Sequence, residues 1–327
     1  MGSSMHNENE NGNYQENEQL KPISGGQGPE PDLQSIMRFY LVVFLLLLFF
    51  GSLFQGWHFE LGMIATQVLI ILLPAIWYWR RYRVDQTVFA RLYPLKKNFI
   101  PIILLLSASM WLLNMVLATG LVTGLMQLGF EPVVVIEPPQ NLQQYLIYIL
   151  VLSVFAGTCE EILFRGTIMP ALEKHGLIPA IVFSSLLFAL FHGSFLSLVS
   201  TFMLGVVMAV IVIKTGSLWG GIFYHMLNNF YAATYLYIAG QFETTADIDP
   251  QSYWIFLPVL VLALAGSYLG LRLLQKKSHL EPLLPKRTGL LPRGWLSLPL
   301  VAGVLIFLFL AVFELAIGFG WLNLLAL

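Results

Sequence analysis

Two adjacent glutamates, Glu160 and Glu161, are followed by Arg165 at the far end of an apolar run from Tyr145 to Ala156. Moving a carboxylate or guanidinium to mid-bilayer costs roughly 2.5–3.5 kcal/mol on insertion scales. Three such groups so close together on a hydrophobic helix therefore need partners, a hydrated cavity or a reaction to perform. Glu161 and Arg165 stand in the favourable acid-first i, i+4 order and read as a buried pair that shapes a site. Glu160 has no basic neighbour on its helix, because Gly157 and Phe164 occupy i−3 and i+4. An unpaired membrane carboxylate is a functional candidate. Cys159, beside it, reads as a small packing residue.

Of the six histidines, only His192 and His225 fall within or at the ends of apolar stretches. If the helix bearing Glu160 runs to Lys174 and turns at His175-Gly176, Glu160 and His192 both lie about 20 Å from that turn at 1.5 Å per residue, and face each other. His225 and Asn229 are i, i+4 and share a face. Counted from Ser217 they lie about 12 and 18 Å deep, a looser match that helix tilt would have to close.

A carboxylate beside an imidazole can activate water as a general base. A second imidazole and an amide on one helical face can donate to a developing oxyanion. Glu160, His192, His225 and Asn229 thus suffice for peptide-bond hydrolysis without a covalent nucleophile and with no cofactor. The alternative is that Glu160, His192 and His225 ligate a zinc ion that activates the water. No HExxH helix supports that route, and the single cysteine excludes a cysteine zinc cage or an intramolecular disulfide.

These residues must be positioned by membrane helices. The 327 residues are 57% hydrophobic and only 11% charged, against about 25% charged in soluble domains. The expectation is an all-α, polytopic transmembrane bundle of about eight to nine spans with an intramembrane catalytic cavity. Apolar windows fall at 39–57, 61–79, 99–119, 143–164, 177–192, 196–213, 217–238, 252–274 and 296–320, most near the ~20 residues a crossing needs. The fifth and sixth nearly fuse at His192-Gly193-Ser194, so a re-entrant pair is the alternative there. Four regions follow: a polar, disordered cytoplasmic tail over 1–35, N-terminal spans over 36–142, a catalytic core over 143–238 and C-terminal spans over 239–327. With the tail cytoplasmic, all 17 Lys and Arg lie on one side, as the positive-inside rule asks. A formal net charge of −1 gives no reason to expect a nucleic-acid partner. Two minor features stand apart. Gly120 and Gly124 form a GxxxG that suggests close packing, and Glu314 in the last span is a carboxylate that needs a donor or a proton.

The ordered set Glu160-Glu161-x-x-x-Arg165-Gly166, Phe188-x-x-x-His192 and His225-x-x-x-Asn229 resembles the three signature motifs of the CPBP (Abi) family, the CAAX-type prenyl-protein proteases and bacteriocin-processing relatives. The resemblance covers residues 143–238. It implies a helical intramembrane endopeptidase with a cavity open to the cytoplasm, acting on a prenylated CAAX-type or leader-peptide substrate in the lipid bilayer. It also implies that Glu160 and His192 activate water, that His225 and Asn229 hold the oxyanion, and that Glu161 and Arg165 shape the site. Many relatives are described as metalloproteases, so zinc stays open here. Two other classes compete: a proton-coupled transporter, which should carry inverted repeats that are not visible, and a non-catalytic membrane scaffold or immunity protein.

Overall fold

The computed structural model describes residues 31–132, 136–241, 254, 256–278 and 295–322. Most of the N-terminal tail and of the connector 280–299 therefore lies outside the described residues. What is described is helical, and nine long helices follow the nine apolar windows. They are α1 (Leu33–Trp57), α2 (Phe59–Arg81), α3 (Lys97–Met126), α4 (Leu142–His175), α5 (Leu177–Phe191), α6 (Leu198–Thr215), α7 (Leu218–Gly240), α8 (Phe256–Lys277) and α9 (Leu298–Gly318). Seven are long and apolar enough to cross a bilayer. The other two are α5, only 15 residues long, and α7, whose length suffices but whose face carries His225, Asn228 and Asn229.

Local chemistry sets the boundaries. Asp32 caps α1 by accepting from the Ser35 backbone N–H. Pro101 and Pro299 sit in the first turns of α3 and α9, where a missing N–H costs nothing. α6 stops at Gly216 (φ +65°), a left-handed conformation that glycine adopts freely. Ser217 then extends the chain into α7, and its hydroxyl donates to the Tyr93 carbonyl at 2.6 Å.

The helices pack α3 on α8, α5 on α6, α1 on α9, and α4 between α2 and α7. Basic residues gather where alternate helix ends meet. Lys174 at the end of α4 donates to the Pro31 carbonyl at 2.6 Å. Arg91 grips Glu173 with two bonds of 2.8 and 2.7 Å, and Lys277 reaches the Asn98 carbonyl at 3.2 Å. The opposite ends meet elsewhere: Tyr148 donates to the Glu137 carbonyl, and the Glu131 N–H to the Gly318 carbonyl. Gly120 and Gly124 do not mediate close packing, since a Cβ on either would meet nothing within 4 Å.

Four helical segments among the described residues are wound wider than an α-helix; one, Leu47–Gly51, lies in α1, and the other three surround the glutamates. Residues Ile149–Phe155 and Phe164–Ile168 form π-helical turns on either side of Ala156–Leu163, the stretch that bears both glutamates. A third, Thr66–Leu72, lies in α2 directly against that stretch. Such turns rotate the faces of a helix relative to its ends and are frequent at functional sites.

Candidate functional site

α4 supplies the acidic pair. Glu161 and Arg165 are both fully buried and meet at 2.6 Å, as their spacing predicts. Further hydrogen bonds offset the desolvation of a buried ion pair, although Arg165 Nε and Glu161 Oε2 find no partner among the described residues. Arg165 donates a second bond to the Gly205 carbonyl at 3.0 Å. Its guanidinium carbon also lies 4.5 Å from the centre of the Phe188 ring, in a cation–π contact. Glycines admit both partners. A Cβ on Gly205 would come within 3.2 Å of the Arg165 guanidinium, and one on Gly221 within 2.9 Å of Glu161 Oε2.

α7 inserts His225 against this pair. The imidazole is buried, with Nδ1 3.3 Å from Glu161 Oε1 and Nε2 4.0 Å from Glu160 Oε2. Since Glu161 is committed to Arg165 as a carboxylate, His225 Nδ1 is the donor in that contact. Nε2 then faces Glu160. The depth mismatch left by counting residues closes because α7 packs directly on Ala156–Leu163.

Glu160 is mostly buried, with 12% of its side chain exposed. Its Oε1 accepts a 2.8 Å hydrogen bond from Gln67 Nε2 on α2. Sequence reasoning missed Gln67. The available signal was an amide inside an otherwise apolar span, a residue type that must find a partner in the membrane.

His192 stands at the end of α5 and is exposed. Its Nδ1 pairs with the Phe188 carbonyl at 2.8 Å. Its ring meets the Phe188 ring edge-on at 4.8 Å, while His225 meets the same ring at 5.7 Å. Phe188 therefore sits behind both imidazoles. Among the described residues, the contacts of Glu160 go to Gln67 and His225, not to His192. Asn229, one turn beyond His225, donates to the Leu152 carbonyl at 2.7 Å, in the π-helical turn of α4. An amide carries two N–H donors, so one is left for another acceptor.

Glu314 of α9 has found its donors. Ser194 Oγ and the Phe195 N–H reach its two oxygens at 2.8 and 2.6 Å. The loop that follows His192 is thereby tied to the last helix.

Zinc fits this arrangement poorly. Among the described residues, no group of three or more His, Cys, Asp or Glu is placed to hold a metal ion.

Residues 142–231, from the start of α4 into α7, match the family model described as Rce1-like, type II CAAX prenyl endopeptidase. No curated protein and no solved structure matches the chain. The family match and the apolar helices together support an integral membrane endopeptidase of the CAAX type, with a membrane-associated peptide as the class of partner.

Proposed function

We propose that this chain is a CPBP-family intramembrane protease that hydrolyses a membrane-associated peptide with water activated by Glu160, a reading supported by the match of residues 142–231 to the Rce1-like family model. The observation that carries the proposal is the Glu160 carboxylate, held deep in the bundle between the Gln67 amide and the His225 imidazole. Glu160 takes a proton from water as the oxygen attacks the scissile carbonyl carbon. The carbonyl oxygen becomes an oxyanion, met by the Nε2–H of a His225 imidazolium, whose Nδ1–H is held by Glu161, and by the uncommitted N–H of Asn229. Collapse of the tetrahedral species returns the proton from Glu160 to the leaving amine. Preorganised donors of this kind act without reorganisation cost at the moment of reaction.

Glu161 and Arg165 work through His225, fixing its ring plane by the 3.3 Å contact. His192, exposed at the end of α5, stands where water and substrate approach and helps to orient the water. The gathering of Lys and Arg at one set of helix ends supports a cytoplasmic N-terminal tail, and with it an opening toward that compartment. A prenylated CAAX-type peptide suits such a site, since its lipid anchors it at the height of the cavity; a leader peptide is the other substrate form.

The test uses full-length protein in proteoliposomes. The probe is a farnesylated peptide ending in Cys-aliphatic-aliphatic-X, with fluorophore and quencher on either side of the bond after the prenyl-cysteine. Glu160→Gln should lower kcat by about 10²–10⁴-fold, the range for removal of a general base. A variant that folds normally and cleaves at the parent rate would overturn the assignment.

A further inference from the structure

The residue that fixes the proposed base comes from outside the segment that matches the protease family. Between Leu61 and Trp77 of α2, the polar side chains are Thr66 and Gln67. Thr66 donates back to the Gly62 carbonyl of its own helix. Gln67 crosses to α4, where its Nε2 lies 2.8 Å from Glu160 Oε1, and it is only 3% exposed. Its Oε1 is fully buried and finds no hydrogen-bond partner among the described residues. A buried unpaired acceptor is destabilising, so the open end of this amide adds nothing to the contact between the two helices. Here one end is committed to the carboxylate and the other is left open beside it. The π-helical turn Thr66–Leu72 contains Gln67 and packs on the stretch bearing Glu160.

We infer that Gln67 is a positioning residue of the hydrolytic site: its N–H fixes Oε1 of Glu160, so that Oε2 is the oxygen presented to His225 and the attacking water. This rests on the assignment of Glu160 as the base. Two consequences separate it from a structural role. Losing the donor lowers turnover more than substrate binding, because the bond orients a group that acts in the transition state. Losing the orphan acceptor does not destabilise the fold.

The experiment compares the parent, Gln67→Met, Glu160→Gln, Glu160→Asp and Gln67→Met/Glu160→Asp in proteoliposomes with the farnesylated probe peptide. Gln67→Met keeps side-chain length and removes the donor. It should cut kcat by about 10- to 100-fold, with KM changed by no more than about 2-fold and unfolding temperature unchanged or raised. In the Glu160→Asp background, whose shorter carboxylate has already left Gln67, the same substitution should cost no more than about 3-fold. An infrared carboxylate band lost in Glu160→Gln should shift in Gln67→Met, a readout that needs no substrate. Parent kcat and an unshifted band in Gln67→Met would overturn the inference while leaving the role of Glu160 standing. Full activity in Glu160→Gln would instead remove the reading on which it rests.

Discussion

The pair Glu161–Arg165 offers the sharpest test of how this site is held. Both side chains are 0% exposed and meet at 2.6 Å. Replacing Arg165 by Met removes that bond, the 3.0 Å bond to the Gly205 carbonyl and the cation–π contact with Phe188. Glu161 is then a buried charge whose remaining partner is His225 at 3.3 Å. Breaking a buried pair from one side costs about 3–5 kcal/mol, most of it the desolvation of the charge left behind. The double variant Glu161→Gln/Arg165→Met buries no charge at this position, and its loss should fall to about 1 kcal/mol, since apolar replacement of a whole pair is often neutral. Catalysis should not recover with stability, because His225 Nδ1 has then lost the negative charge that holds it. The assay is thermal unfolding in detergent, followed by size-exclusion chromatography, in parallel with cleavage of the farnesylated probe. A double variant no more stable than Arg165→Met, or one with parental activity, would refute the reasoning.

Two further substitutions probe the surroundings. In Gly221→Ala, the added Cβ would come within 2.6 Å of Val212 Cγ2 and 2.9 Å of Glu161 Oε2. Overpacking of this kind costs about 1–3 kcal/mol, and cleavage should fall further than stability because the displaced carboxylate positions His225 through its other oxygen; parental activity would contradict the assignment of Glu161. Glu314→Leu removes the acceptor for Ser194 and Phe195. It should loosen the loop after His192, raising its amide hydrogen exchange and lowering kcat/KM; unchanged exchange would show that α9 does not hold the loop.

The helical architecture was legible because hydrocarbon imposes a simple rule. Every span must be apolar and about 20 residues long; nine windows, most of them meeting that rule, became nine helices, seven of them long and apolar enough to cross. Where that rule weakens, boundaries drift. α4 extends to His175, well past the apolar window ending at 164, because its buried partners extend with it. GxxxG failed at Gly120 and Gly124 for a related reason. Small residues permit close approach, but another helix must arrive to use the space.

Within the site, what could be read from the chain was whatever a single helix determines. Glu161 and Arg165 pair because i, i+4 spacing places them together whatever surrounds them, and Phe188 lies under His192 for the same reason. Contacts between helices follow from relative height and rotation, which 1.5 Å per residue fixes only if both helices start level and run straight. α4 does neither, carrying two π-helical turns around its glutamates. Each such turn rotates the downstream face, so the nearer imidazole to Glu160 comes from α7, not from α5, and its nearest donor comes from α2. Gln67 was hidden because it looks like one polar residue in an apolar span, with nothing near it in sequence to suggest a partner. Its partner lies 93 positions away. A better reading of such chains would therefore treat every amide in a span as half of a pair, and ask which unpaired carboxylate elsewhere needs a neutral donor. Glu160 and Glu314 were the two carboxylates left without one, and each proves to be met by neutral donors from another part of the bundle.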